Sequence, residues 1–327
     1  MTASNHCPAV RPIARTARAT RRHPLLSLQP WVLLALGATL LLSLPAARAG
    51  EPVKVDRSAP ADANATVTVS NVAGAVRVTG WDKPEVHVGG RLGGGVQRLD
   101  VTGQGARIDV KVVLPRASLT LGNGDADLEV SVPAGARVVV STVSADIAVD
   151  RVAGELNLRS VSGEVEARFD AQPVEIKSVS GDIRLQGNSK PARLRIASVS
   201  GDVQLDGAAG SVESVSVSGD TRAKLGELES LRIRSTSGDV QASGAIARNG
   251  SFEIESVSGD VRLGVTGAGG FTAEAEAFSG DITTCYGERA AHDDDGTPNA
   301  HLTTRRGEGA GRVRIKTMSG DVRLCDR

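Results

Sequence analysis

A five-residue string recurs along most of this chain, and a fixed period constrains a fold strongly, because each repeat has to be one structural unit. The string reads VSADI at 143–147, VSGEV from 161, VSGDI from 179, VSGDV from 199, VSGDT from 217, TSGDV from 236, VSGDV from 257, FSGDI from 278 and MSGDV from 318. Successive spacings are 18, 18, 20, 18, 19, 21, 21 and 40 residues. Apolar and polar residues alternate on both sides of each string, as in Val174-Glu175-Ile176-Lys177 before it and Ile183-Arg184-Leu185 after it. A two-residue period belongs to a half-buried strand, so each repeat holds two short strands. The same pairs return as Leu194/Ile196 with Val203/Leu205, Phe252/Ile254 with Val261/Leu263, and Val313/Ile315 with Val322/Leu324. One such unit cannot bury its apolar face alone, whereas units stacked in parallel bury a continuous core. The expected fold is therefore all-β, a parallel β-solenoid (β-helix) with coils of 18–21 residues. At about 4.8 Å per stacked strand, its length would be on the order of 40 Å. The chain's seven aromatic residues fit this reading. A thin core of aliphatic ladders does not need large rings, which a thick globular core normally uses.

Three segments are expected. Residues 1–49 contain six arginines and no acidic residue, with an apolar run from Trp31 to Leu44 followed by Ala47-Arg48-Ala49, the pattern of a secretory signal peptide with an Ala-x-Ala cleavage site. The run is too short to span a bilayer as a helix. Arg21-Arg22 lacks the residues that usually follow a twin-arginine pair, so the general secretory route is the expectation. Residues 50–135 alternate without the Ser-Gly-Asp mark (Val67-Thr68-Val69, Val76-Arg77-Val78, Ile108-Asp109-Val110) and read as an N-terminal β segment capping the solenoid. Residues 136–327 form the repeat itself, with a loop insertion at about 286–311 in the one long interval. Without the six arginines of the leader, 32 basic residues of the original 38 face 38 acidic ones, a net charge near −6 that disfavours nucleic acid as a partner.

These coils, preceded by LEVSVPAGARV at 128–138, resemble a bacterial family of SGD-repeat β-solenoids (DUF4097) that carries an adhesin label and no assigned function. The resemblance covers about residues 60–327, with departures at Ala145 and Glu164. It implies adhesion or protein interaction and no catalytic centre.

The repeated acids are Asp146, Glu164, Asp182, Asp202, Asp220, Asp239, Asp260, Asp281 and Asp321. A column of carboxylates invites a cation-site reading, but calcium needs six to eight oxygens and one carboxylate per coil does not supply them. A structural turn ladder is the better reading: glycine provides positive φ, and the neighbouring Asp and Ser accept local backbone hydrogen bonds. Arg184, Arg222, Arg262 and Arg323 lie where they offset part of the repulsion. Repetition also argues against a catalytic serine or a paired-acid polysaccharide site, since every coil would be equally catalytic. Metal-ligand types outside the repeat are His292, Asp293 and Asp295, with His301 nearby. Their spacing is not diagnostic of zinc or calcium, and Asp-Asp-Gly-Thr-Pro reads equally as a solvated turn, so neither a metal nor a cofactor is assigned.

Cys285 and Cys325 each follow the Asp of their own coil by four residues. Equivalent positions in adjacent coils are about 4.8 Å apart, within disulfide range, and an exported location favours oxidation. The long interval is therefore expected to hold one coil plus an excursion, clamped by Cys285–Cys325 at the chain's last coil. The overall expectation is an exported, non-enzymatic protein-interaction module or adhesin, binding a protein or cell-envelope component. No membrane barrel, sorting signal or anchor follows Cys325, which favours the periplasm over the cell surface. A periplasmic scaffold or envelope-stress signalling partner, and a polysaccharide-active β-helix enzyme, are the alternatives.

Overall fold

The computed structural model describes residues 52–115, 124–170, 172–292 and 299–326, so the expected signal peptide lies outside the described residues. Twenty strands are present among them. In the first half they are β1 (Val53–Trp81), β2 (Glu85–Leu92), β3 (Arg98–Val113), β4 (Asp125–Pro133), β5 (Arg137–Asp150), β6 (Leu156–Ser160), β7 (Val165–Phe169), β8 (Val174–Ser180), β9 (Ile183–Gly187) and β10 (Pro191–Ser200). The second half holds β11 (Val203–Ser218), β12 (Thr221–Ser237), β13 (Val240–Ser258), β14 (Val261–Thr266), β15 (Phe271–Ser279), β16 (Ile282–Thr284), β17 (Ala291–His292), β18 (Ala300–Arg306), β19 (Gly311–Ser319) and β20 (Val322–Cys325). Among the described residues no helix is long and apolar enough to cross a membrane.

Parallel pairing builds a solenoid-like stack with two ladders, one on each side of the Ser-Gly-Asp turn. Ahead of the turn, Ile176 pairs with Ile196, Ile196 with Ser214, Ser214 with Ile233, and Ile233 with Ile254. After it, Val165 pairs with Ile183, Ile183 with Val203, Val203 with Thr221, Thr221 with Val240, and Val240 with Val261. The inward residues of both ladders are almost fully buried, including Ile176, Leu194, Leu231, Phe252 and Ile254. Each buried Val, Leu or Ile contributes about 1.5–3 kcal/mol, so the core gains a similar increment with every layer. Ser214 and Thr221 stand where the neighbouring layers carry aliphatic residues, and their hydroxyls are buried without a hydrogen-bond partner.

Glycine is required at the turn for two reasons. Gly219 and Gly259 adopt φ of 112° and 121°, and a Cβ added to either would stand on the carbonyl oxygen of the equivalent glycine one layer back, Gly201 or Gly238.

At both ends the order of layers departs from the order of the chain. Near the N-terminus, β1 lies between β5 and the β3/β4 segment: Val76 pairs with Ile147 on one side and Leu128 on the other, and Val67 pairs with Val138 and Ile108. Residues 66–79 of β1 therefore run in register with the repeat, while β2 pairs antiparallel with both β4 and the first residues of β1. At the C-terminus, Val261 pairs with Val322, and Val322 pairs on its other side with Ile282. The layer of β19 and β20, last in the chain, is inserted between the layer of β13 and β14 and that of β15 and β16. The expectation of adjacent layers joined by an excursion is met by this pairing, but the chain's last layer is not the outermost. The excursion is also more ordered than a loop, because β18 runs antiparallel to β15 and β17 antiparallel to β18.

Candidate functional site

The acidic column is engaged with the backbone. Oδ1 of Asp146 accepts the amide N–H of Glu164 at 2.9 Å, Asp182 that of Asp202 at 3.0 Å, and Asp202 that of Asp220 at 2.9 Å. Asp220 accepts from Asp239, Asp239 from Asp260, and Asp260 from Asp321, each at 3.0 Å; Asp321 accepts from Asp281 at 2.9 Å. Second carboxylate oxygens meet arginines that bridge two layers. Arg222 reaches Asp202 at 3.3 Å and Asp220 at 2.7 Å, Arg262 reaches Asp239 at 3.6 Å and Asp260 at 3.0 Å, and Arg184 pairs with Glu164 and Asp182. Stacked like charges are tolerated because each Asp that accepts an amide has that charge-assisted hydrogen bond and most have a guanidinium nearby. An oxygen held in this way is not free to activate water, and the arrangement serves to lock one layer onto the next.

Beside the acids runs a line of exposed apolar side chains, the first residue of each string. Val143, Val161, Val179, Val199, Val217 and Val257 are 45–48 % exposed, and Met318 and Phe278 reach 59 % and 52 %. Thr236 occupies the one polar position in the line. Strand parity accounts for this: Leu194, Ile196 and Ser198 point inward, so Val199 must point out. The same parity is legible in the sequence, although there these valines resemble the aliphatic residues of the core pattern.

Two ladders of alternating charge run beside that line, on the strand that leads into each string. Register gives Glu175, Arg195, Glu213, Arg232, Glu253, Arg314 and Glu274 as successive neighbours, and further along Arg234, Glu255, Lys316 and Glu276. Arg314 meets Glu274 at 3.1 Å, Lys316 meets Glu276 at 2.7 Å and Arg234 meets Glu255 at 2.9 Å. With the charges neutralised locally, the apolar line carries the character of this edge.

The C-terminal end holds the non-repeating features. Cys285 and Cys325 form a disulfide with Cα atoms 5.0 Å apart. Nearby, the Arg306 guanidinium lies 3.9 Å from the Tyr286 ring centroid and 2.9 Å from Glu288, which also accepts the Thr304 hydroxyl at 2.9 Å. Burial pushes the Tyr286 phenol well above its ordinary pKa, with the Asp326 carboxylate acting in the same direction. This cluster holds the excursion together, and the Tyr286 ring stands edge-on 6.3 Å from Phe271 of β15 in the stack. Of the metal-ligand candidates, His292 lies in β17 opposite Ala300, while Asp293 and Asp295 lie outside the described residues. Among the described residues no group of three or more His, Cys, Asp or Glu side chains is arranged to hold a metal ion.

A family model described as Toastrack DUF4097 matches residues 53–216 and 188–325. The chain belongs to the Toastrack DUF4097 family. No curated protein matches it. Two solved structures similar to this Toastrack chain bear the name "putative adhesin". The one from Bacteroides fragilis is 10% identical, covers 83% of this chain and 97% of its own, and has a TM-score of 0.41. The other, from Parabacteroides merdae, is 9% identical with coverages of 84% and 97% and a TM-score of 0.28. Likeness at this level does not carry function to the Toastrack chain.

Proposed function

We propose that this chain is an exported, non-enzymatic interaction module that binds a protein partner of the cell envelope along its Val-Ser-Gly-Asp edge. The observation that carries this reading is the line of eight half-exposed apolar side chains from Val143 to Phe278, repeated layer by layer. Contiguous exposed apolar surface on an otherwise polar protein marks an interaction site. A protein surface suits it better than a sugar, because Phe278 is the one large aromatic among the strongly exposed apolar residues, and stacking on sugars relies on rings. The leader-like first 49 residues and the paired cysteines support export. Engagement of the repeated acids with backbone amides supports a role without catalysis, against the polysaccharide-active alternative.

The test replaces Val179, Val199 and Val217 together with Thr, the residue already present at position 236. A photo-crosslinking side chain at Val161 in the native host is expected to give a defined crosslinked product that the triple variant loses, with unchanged thermal melting. Equal crosslinking by both proteins would overturn the proposed surface. Protease shaving of intact cells then separates the two settings: cleavage on the outside assigns an adhesin, whereas protection until the outer membrane is opened assigns a periplasmic scaffold.

A further inference from the structure

On the other side of the acidic column, the outward positions following the turn form a third ladder. Its members are Arg184, Gln204, Arg222, Gln241, Arg262, Arg323 and Thr283 in stacking order. Arginine alternates with an uncharged residue as far as Arg262, and there the pattern fails, because Arg323 pairs directly with Arg262. Chain order would have put Thr283 next to Arg262 and kept the alternation. Insertion of the last layer, which gives Arg314 its two glutamate neighbours, sets two guanidinium-bearing residues side by side here.

Like charges directly opposite across neighbouring strands are destabilising. Arg262 is offset by Asp239 and Asp260, but among the described residues no side-chain hydrogen bond or ion pair engages Arg323, or Lys224 three layers away. These side chains border one hollow of about 970 Å³, which Arg222 and Gln241 also line and which Glu227 and Asp326 reach. A local rule broken where the fold has a concave surface marks a candidate site.

We propose that this hollow binds a phosphate group, held between Arg323, Arg262 and Lys224. Guanidinium forks offer paired donors to phosphate oxygens, and a tetrahedral anion can meet donors arriving from three directions, which a planar carboxylate does not. The phosphate can belong to a lipid headgroup or to a free phosphorylated molecule. The inference is independent of the proposed protein-binding edge, since the hollow lies on a different face of the stack from the valine line.

The test uses the full mature chain with its disulfide intact. Binding of inorganic phosphate is measured by calorimetry and by the rise in melting temperature at fixed ionic strength, with sodium chloride as reference. Binding to phosphatidylcholine vesicles with and without phosphatidylglycerol is measured by sedimentation. Arg323→Gln is the main variant, because Gln already stands in this column at 204 and 241; Lys224→Gln is the second. Arg312→Gln makes the same charge change outside the hollow. Loss of about tenfold in affinity is expected for Arg323→Gln, as for removal of a charge-assisted hydrogen bond, with Arg312→Gln close to the parent. Phosphate binding with that pattern assigns a free phosphorylated ligand, and binding only to phosphatidylglycerol vesicles with that pattern assigns a headgroup. No binding to either probe, or equal losses in Arg323→Gln and Arg312→Gln, overturns the proposal.

Discussion

The middle of the stack, from Val165 to Val265, and its C-terminal end are built from the same repeat but solve different problems. In the middle, each layer rests on the one before it in the chain, and the turn geometry suffices: glycine with positive φ, Asp accepting the next amide, aliphatic side chains stacked inward. At the C-terminal end, β19 and β20 are threaded between layers that preceded them, and β18, the disulfide and the Tyr286–Arg306–Glu288 cluster secure the outside. A stack of near-identical layers frays from its ends, so placing the chain's last strands one layer in gives them neighbours on both sides. The N-terminal end has the same inversion, with β1 held between β5 and β4 and no disulfide among the described residues there.

The comparison can be broken at several points. Gly259→Ala in the middle should have the largest effect, a loss of about 4 kcal/mol, because the new Cβ meets backbone as well as an unfavourable φ. Gly287→Ala in the excursion shares the positive φ, 93°, but meets nothing within 4 Å, and should cost about 1 kcal/mol. Denaturant unfolding of both variants checks this, and equal losses would show that turn stacking is not what makes the middle rigid.

Removing the disulfide with Cys285→Ser and Cys325→Ser should cost about 3 kcal/mol, within the usual range for a single disulfide. Hydrogen exchange should show the loss concentrated in β15, β16 and β20. Uniform deprotection across the molecule would mean that the end and the middle unfold as one unit.

Ser214→Val fills a core column between Ile196 and Ile233 and removes an unpartnered buried hydroxyl, so it should raise stability by about 1 kcal/mol in the same unfolding assay. A loss would indicate that the hydroxyl has a partner.

Arg314→Glu and Arg195→Glu each place a third Glu between two others, Glu253 and Glu274 in one case and Glu175 and Glu213 in the other. These groups are about half exposed, so solvent screening limits the expected loss to about 0.5–1 kcal/mol, falling further in salt. Similar losses at both positions support the inserted order; a much smaller loss at Arg314 would favour a last layer with one neighbour.

The smallest effect concerns pH. Because the folded state holds the Tyr286 phenol neutral, its contribution is fully present below the unfolded value of about 10 and is lost as pH rises above it. Tyr286→Phe should remove that alkaline decline, as a melting-temperature series across pH 8–11 (roughly spanning the ordinary tyrosine pKa) would show.

Much of this was legible from residues alone. The spacing of Ser-Gly-Asp strings and the alternation around them specify strands, turns and parallel stacking, because strand parity and glycine's freedom at positive φ are local properties. The equivalent positions of Cys285 and Cys325 likewise identify the pair that the structure joins. The long interval reads as a loop insertion because a two-residue strand such as β17, and β18 with its partner far back in the chain, carry no local signature.

A signal for the inserted order did exist. In chain order Glu274 would stack on Glu253 and Glu276 on Glu255, and moving Arg314 and Lys316 between them restores alternation. Each inward strand face presents the same aliphatic pattern, so any layer can rest on any other at nearly equal hydrophobic gain, and strand periodicity does not distinguish these orders. Local residue pattern thus sets the kind of layer and the turn that joins its strands. Which layers touch is a decision of the folded molecule, because it rests on charge pairing, edge protection and crosslinking between residues distant in the chain. The Arg262–Arg323 juxtaposition is a product of that decision.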